Sequence, residues 1–231
     1  MSAPVQHTTR RRENTRAQIV AAAAEVFADK GVAAATVDDL VAAAGYTRGA
    51  FYSNFSTKEE VFYELYDTLA ETLLAQARTV LADASPLLEA PDPARVGCGL
   101  EDMPDLLDVV REALHPYGRQ WYLLQTEYAL LALRNEDARA GFVRHRRRFR
   151  RQLGELLVEV LTACGRRPVV PADELAESVA ALYLTSLELA SLGEEELAQA
   201  LESGEDVGAP APSSSVYRVL LDGLSEPAGP A

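Results

Sequence analysis

The residues best placed to do chemistry lie close together, between Thr36 and Lys58. Gly49 and Ala50 are small enough to let a backbone and the edges of bases approach closely. Thr47 can donate to a phosphate or touch a thymine methyl, and Arg48 reaches guanine O6 and N7 or a phosphate. Tyr46 and Tyr52 add flat amphipathic surfaces with hydroxyl donors. Lys58 stands in the first turn of a predicted helix, where exposed N–H groups and the positive dipole end already favour an anion. This is donor chemistry directed at a polyanion with readable edges. Thr36 and Thr57, by contrast, are N-caps in any helical protein and prove little alone.

Three predicted helices must hold these side chains. Ile19, Ala23, Val26 and Phe27 recur at spacings of three and four from about Asn14, and Gly31 is a fit stop for the first helix. The second opens at Thr36 with Asp39 three residues on, a capping-box spacing, buries Val37, Leu40, Val41 and Ala44, and ends at Gly45. The third runs from Thr47 to about Asn54. Two short helices joined by a tight glycine turn form a helix-turn-helix unit, in which the first helix packs and the second presents its side chains. A fourth helix starts at Thr57 and continues through Leu73 and Val80.

The stretch TVDDLVAAAGYTRGAFYSNFSTKEEVF (36–62) resembles the DNA-binding domain of the TetR family of regulators. The resemblance rests on Thr36, Ala44-Gly45, Tyr52-Ser53-Asn54-Phe55 and Thr57-Lys58-Glu59, and is strong over about residues 14 to 62. Carried over by position, it implies phosphate contacts at Thr36, Thr47, Tyr52 and Lys58, and base reading by Arg48 and Gly49 with Tyr46 at its edge. Phe51 and Phe55 would anchor the recognition helix. The remainder resembles the family in organisation alone, as a helical body whose last two helices pair across a dimer.

Charge is distributed accordingly. The chain carries −13 overall, yet residues 1–58 hold seven Lys or Arg against five Asp or Glu, and the remainder fifteen against thirty. A basic head on an acidic body prompts a search for a nucleic-acid element near the N-terminus. The expected organisation is all-α: a flexible basic arm (1–13), a three-helix DNA-binding head (14–58) and a larger helical ligand-binding and dimerisation body (59–231). Within the body, Pro86, Pro91, Pro93 and Pro104 predict a loop over 84–104, and Pro116 a helix break. Helices follow over Trp121–Leu133, 136–163, 172 to about 192, and 216–224, with a flexible connection at 203–215. The helix after Ala172 is apolar on two faces and so needs two partners, such as its own core and a second subunit.

For a ligand in that body the candidates are Trp121, Tyr122, Gln125, Tyr128, Phe142 and Tyr183, aromatic bodies with a few polar tips. Ordinary core packing is the competing reading for each. The arginines of Arg144 to Arg151 spread over more than half a helix circumference and read as a solvated or salt-bridged face; a second nucleic-acid surface or an anion site is the alternative. His7, His115 and His145 lack metal-ligand spacing with one another or with Cys98 and Cys164, and no phosphate-cradling glycine loop or nucleophile elbow occurs. The reading therefore contains no catalytic residue, metal or cofactor. Charges at Glu25, Asp29, Lys30 and Glu188 interrupt the longest apolar stretches, which speaks against a membrane span or secretory signal and for a soluble cytoplasmic chain. The expected function is a homodimeric regulator, a repressor that a small ligand releases from a pseudo-palindromic double-stranded operator. The alternative is a helical small-molecule-binding protein with no operator-specific DNA binding.

Overall fold

The computed structural model describes residues 5–88, 104–203 and 214–227. Among the described residues it is all-α apart from one pair of three-residue strands. In chain order the elements are α1 (Val5–Ala34), α2 (Val37–Ala44), α3 (Arg48–Tyr52), α4 (Lys58–Leu88), α5 (Pro104–Arg134), α6 (Glu136–Ala163), β1 (Arg166–Pro168), α7 (Ala172–Ser203), α8 (Ser214–Gly223) and β2 (Ser225–Pro227). The chain divides into two compact units. One comprises Met1–Ala70 with Leu123–Phe142, the other Glu71–Tyr122 with Val143–Ala231.

In the first unit α1 packs on α2 and α2 on α3. Ile19, Ala23, Phe27, Leu40, Phe51, Phe55 and Phe62 are buried, as the three-and-four spacing of α1 requires. The end of α5 completes this core. Tyr128 is fully buried, with ring centroids of Phe62, Tyr63, Tyr66 and Phe142 at 5.3, 5.1, 5.1 and 4.9 Å. Edge-to-face geometry dominates, as the ring quadrupole favours, and the pair Tyr63–Tyr128 stacks.

The second unit is built on Leu161, Cys164, Leu175 and Leu221, with Leu81, Leu157 and Val179 packed against them. Leu74, Ala77 and Leu156 form a neighbouring cluster with Val110, Phe149 and Leu153. Gly154 lies so close to the start of α7 that a Cβ there would stand 2.6 Å from the Ala172 carbonyl oxygen. After Gly165, whose φ of 66° ends α6, β1 pairs antiparallel with β2 in the register Arg167↔Glu226. Arg166 fastens this pair, donating from Nε to Ser225 Oγ and from Nη2 to the Ser225 carbonyl, both at 2.9 Å.

Several expectations need correction. The first helix begins at Val5 rather than near Asn14, because nothing from Gln6 to Glu13 breaks a helix and arginine favours one. Hence 5–13, expected as an arm, is helical. Pro86 lies within α4, and Pro104 begins α5; the rest of the expected 84–104 loop falls largely outside the described residues. Pro116 does not break α5, which passes through it to Arg134. Proline removes one hydrogen bond, and burial of Gly118, Trp121 and Leu124 on the following turns outweighs that loss. The helix after Ala172 reaches Ser203, beyond the expected end near 192. The strand pair carried no alternating pattern to announce it. Residues 204–213 of the expected connection, and Cys98, lie outside the described residues.

Candidate nucleic-acid interface

Local chemistry accounts for each turn of the head. At Gly31 the backbone takes φ 72° and ψ 161°, a region open essentially to glycine alone, and α1 breaks there. A single turn follows, closed by the Ala35 N–H donating to the Gly31 carbonyl at 3.1 Å. Thr36 then caps α2. Its Oγ1 accepts from the Asp39 N–H at 3.2 Å, and the Thr36 N–H donates back to Asp39 Oδ2 at 2.9 Å. Lys30 Nζ reaches Asp39 Oδ1 at 2.7 Å. The hydrogen bonds from Lys30, then those from Thr36, hold the Asp39 carboxyl down at about 2. The same partner raises Lys30.

Gly45, in the left-handed conformation, ends α2, and the Tyr46 N–H donates to the Val41 carbonyl at 2.9 Å. Thr47 caps α3 through the Ala50 N–H at 3.2 Å. The inner side of α3 is anchored by Phe51, Asn54 and Phe55, all buried, with Asn54 Nδ2 donating to the Ala50 carbonyl at 2.8 Å. Arg16 of α1 secures the exit. It donates to the Asn54 carbonyl and to Glu64 Oε2, and its guanidinium carbon lies 4.1 Å from the centre of the Phe55 ring. On α4 the Thr57 hydroxyl accepts from the Glu60 N–H, whose side chain in turn accepts from the Ser56 N–H.

The seven residues expected at nucleic acid all lie in this unit. Arg48 and Tyr52 are 63% and 56% exposed and project from α3, Arg48 toward Asp38 at 3.0 Å and Tyr52 edge-on to Phe51. Gly49 is exposed, and a Cβ there would stand 3.8 Å from Thr47 Oγ1, in ordinary contact. Thr36 and Thr47 are exposed caps. Tyr46 donates its hydroxyl proton to Gln18 Oε1 of α1. Lys58 is half-buried, with Nζ on the carbonyls of Ala33 at 3.0 Å and Ala35 at 2.7 Å. Arg16, Gln18 and Glu127 share in holding the head and were not singled out from the sequence. Their partners stand far away along the chain, so no spacing signals them.

The six ligand candidates are divided between the units. In the first, Tyr128 and Phe142 touch, and Gln125 Nε2 donates to the Tyr66 hydroxyl at 2.8 Å. In the second, Trp121 is buried against Phe149 at 5.0 Å, while Tyr122 and Tyr183 are half-buried. The arginine run is drawn into ion pairs: Arg146 and Arg150 with Glu177, and Arg148 with Glu71. Among the described residues no group of His, Cys, Asp and Glu is placed to hold a metal ion, and no helix is long and apolar enough to cross a membrane.

The capped three-helix head, with Arg48 and Tyr52 exposed on α3, has the arrangement of a helix-turn-helix. The model of the family described as "Bacterial regulatory proteins, tetR family" matches residues 19–65. The regulator TtgR of Pseudomonas putida is 44% identical over 68 residues, which cover 29% of this chain and 32% of that one. The uncharacterized HTH-type transcriptional regulator YfiR of Bacillus subtilis is 29% identical over 74% of this chain and 77% of its own. The repressor KstR2 of Mycobacterium tuberculosis is 36% identical over 31% and 36%. The chain thus spans about a third of the length of the first curated relatives it matches. Solved structures share the fold: GusR of Salmonella enterica superposes with a TM-score of 0.58 at 18% identity over 91% of this chain and 95% of that one. Regulatory protein TetR of Rhodobacter sphaeroides gives 0.52 at 22% over 76% and 87%. Residues 19–65 thus match the helix-turn-helix domain of TetR-family regulators, and the fold of the chain is shared with the solved structures.

Proposed function

We propose that the protein is a cytoplasmic DNA-binding regulator, not an enzyme, which represses by occupying a pseudo-palindromic operator as a homodimer and leaves it when a small ligand binds. The observation that carries this reading is the outward face of α3, where Arg48, Gly49 and Tyr52 stand exposed on a helix whose inner face is fully engaged. The exposed caps Thr47 and Thr57 flank it with hydroxyls suited to phosphate. One α3 of five residues reads few bases, so specificity requires two symmetric copies on half-sites about 34–36 Å apart. The head would be residues 14–58 and the regulatory body 59–231. Within that body Trp121, Tyr122, Gln125, Tyr128, Phe142 and Tyr183 remain the candidates for contact with an apolar or amphipathic effector. Such an effector acts through a difference in affinity for the DNA-bound and free states.

The test is selection of bound fragments from random double-stranded DNA at two salt concentrations, with wild type and Tyr52→Ala in parallel. A palindromic motif enriched by wild type and lost by the variant supports the regulator. No enrichment at either salt sinks operator binding by the unliganded chain and leaves a helical ligand-binding protein.

A further inference from the structure

The turn between the break in α1 and the cap of α2 is held at both ends by charges from distant helices. At its start, the Val32 N–H donates to Glu127 Oε2 of α5 at 3.2 Å, across 95 residues of sequence. Glu127 lies directly against the break, since a Cβ on Gly31 would stand 2.9 Å from Oε1. At its end, Lys58 Nζ of α4 gathers the carbonyls of Ala33 and Ala35. A carboxylate on a leading N–H and an ammonium on trailing carbonyls is the arrangement a helical dipole favours, here spread over a single turn. Thr36, the α2 cap, follows at once, so the direction in which α2 leaves this turn sets the placement of α2 and of α3 packed on it.

We infer that Glu127 is a positioning residue for operator binding: from α5 it caps the Gly31–Ala35 turn and thereby fixes the pose of the helix-turn-helix. The inference rests on the operator-binding reading above and extends it to a residue outside the head's own sequence. Glu127 meets the head at the Val32 amide and beside Gly31, so its effect runs through this turn. Charge and geometry then predict opposite signs. As an acid near a polyanion, Glu127 would weaken binding electrostatically, and its removal would tighten it. As a cap, its removal must loosen it.

Three variants separate these effects: Glu127→Ala, Glu127→Asp, which keeps the charge but withdraws it by one methylene, and Glu127→Gln, which discards the charge but keeps an oxygen at full reach. Operator affinity is read on the selected motif, and amide hydrogen exchange at Val32 on the free protein. Ala and Asp are expected to lose Val32 protection and to bind roughly tenfold more weakly, the equivalent of about one charge-assisted hydrogen bond. Gln should stay within about threefold of wild type, since it retains the acceptor. Folded Ala or Asp variants that bind as tightly as wild type, or tighter, overturn the inference while operator binding stands. Unchanged Val32 protection in both overturns it equally, and so does a Gln variant as weak as Asp. Should Ala fail to fold, Asp against Gln decides alone. Failure of wild type to select any motif would instead defeat the operator reading, with the exchange data still reporting whether Glu127 caps the turn.

Discussion

Replacing Lys58 by methionine separates two duties of one ammonium. Nζ has three N–H bonds, and two are directed at the Ala33 and Ala35 carbonyls, at 3.0 and 2.7 Å. The third is the one the operator reading proposes for a phosphate. Met keeps the stem's packing and discards the charge. Loss of two hydrogen bonds at a half-exposed site should lower stability by about 1 kcal/mol, since water substitutes for much of each. The larger effect belongs to DNA. Each phosphate contact contributes about 0.9 to the slope of log affinity against log salt, so two protomers lose about 1.8. Over a fourfold rise in salt, a slope difference of about 1.8 corresponds to roughly twelvefold in affinity. The wild-type advantage should therefore be about twelvefold larger near 50 mM than near 200 mM salt. Fluorescence anisotropy on the selected operator, titrated across that range, reads both slopes. Parallel lines would refute the phosphate contact and leave Lys58 with the turn alone.

Two further outcomes follow from the geometry. Asp39, held down at about 2 against an ordinary 3.8, supports the fold above its unfolded value, and that support fades as pH falls from about 4 toward 2. Carbon-13 titration of its carboxyl should show the depressed midpoint; a midpoint at the ordinary value would mean the Lys30 and Thr36 hydrogen bonds do not persist in solution. Gly154→Ala should destabilise the second unit by about 1–3 kcal/mol, because the new methyl meets backbone at Ala172 rather than a yielding side chain. Denaturant unfolding checks this, and a more stable variant would show that α6 and the start of α7 separate without strain.

The head was legible because its signals are local. Thr36 with Asp39, Thr47 before α3, and glycine at 31 and 45 each satisfy a backbone need within four residues. Where packing outweighs local preference, legibility fails. Pro116 stays inside α5 because its neighbours are buried, and α4 runs through Pro86. Strands of three residues ending in Pro168 and Pro227 are too short for a period-two pattern to register. The outward candidates on α3 followed from residue type, whereas Arg16 and Glu127 act on partners 38 to 95 positions away. For the ligand candidates, aromatic type alone does not separate a contact surface from a core, and Tyr128 and Trp121 are both wholly enclosed by protein.

The brevity of α3 has an evolutionary consequence. Five residues are too few to nucleate a helix on their own, so α3 exists because Thr47 starts it and Phe51, Asn54, Phe55 and Arg16 hold it. None of those anchors points outward from α3 as Arg48, Gly49 and Tyr52 do. Substitutions on the outward face can therefore accumulate without unravelling the helix, while the anchors tolerate little. On the proposed operator reading, recognition is an exchangeable part: a lineage can change which sequence it addresses by editing a few exposed positions, keeping the rest of the molecule in service.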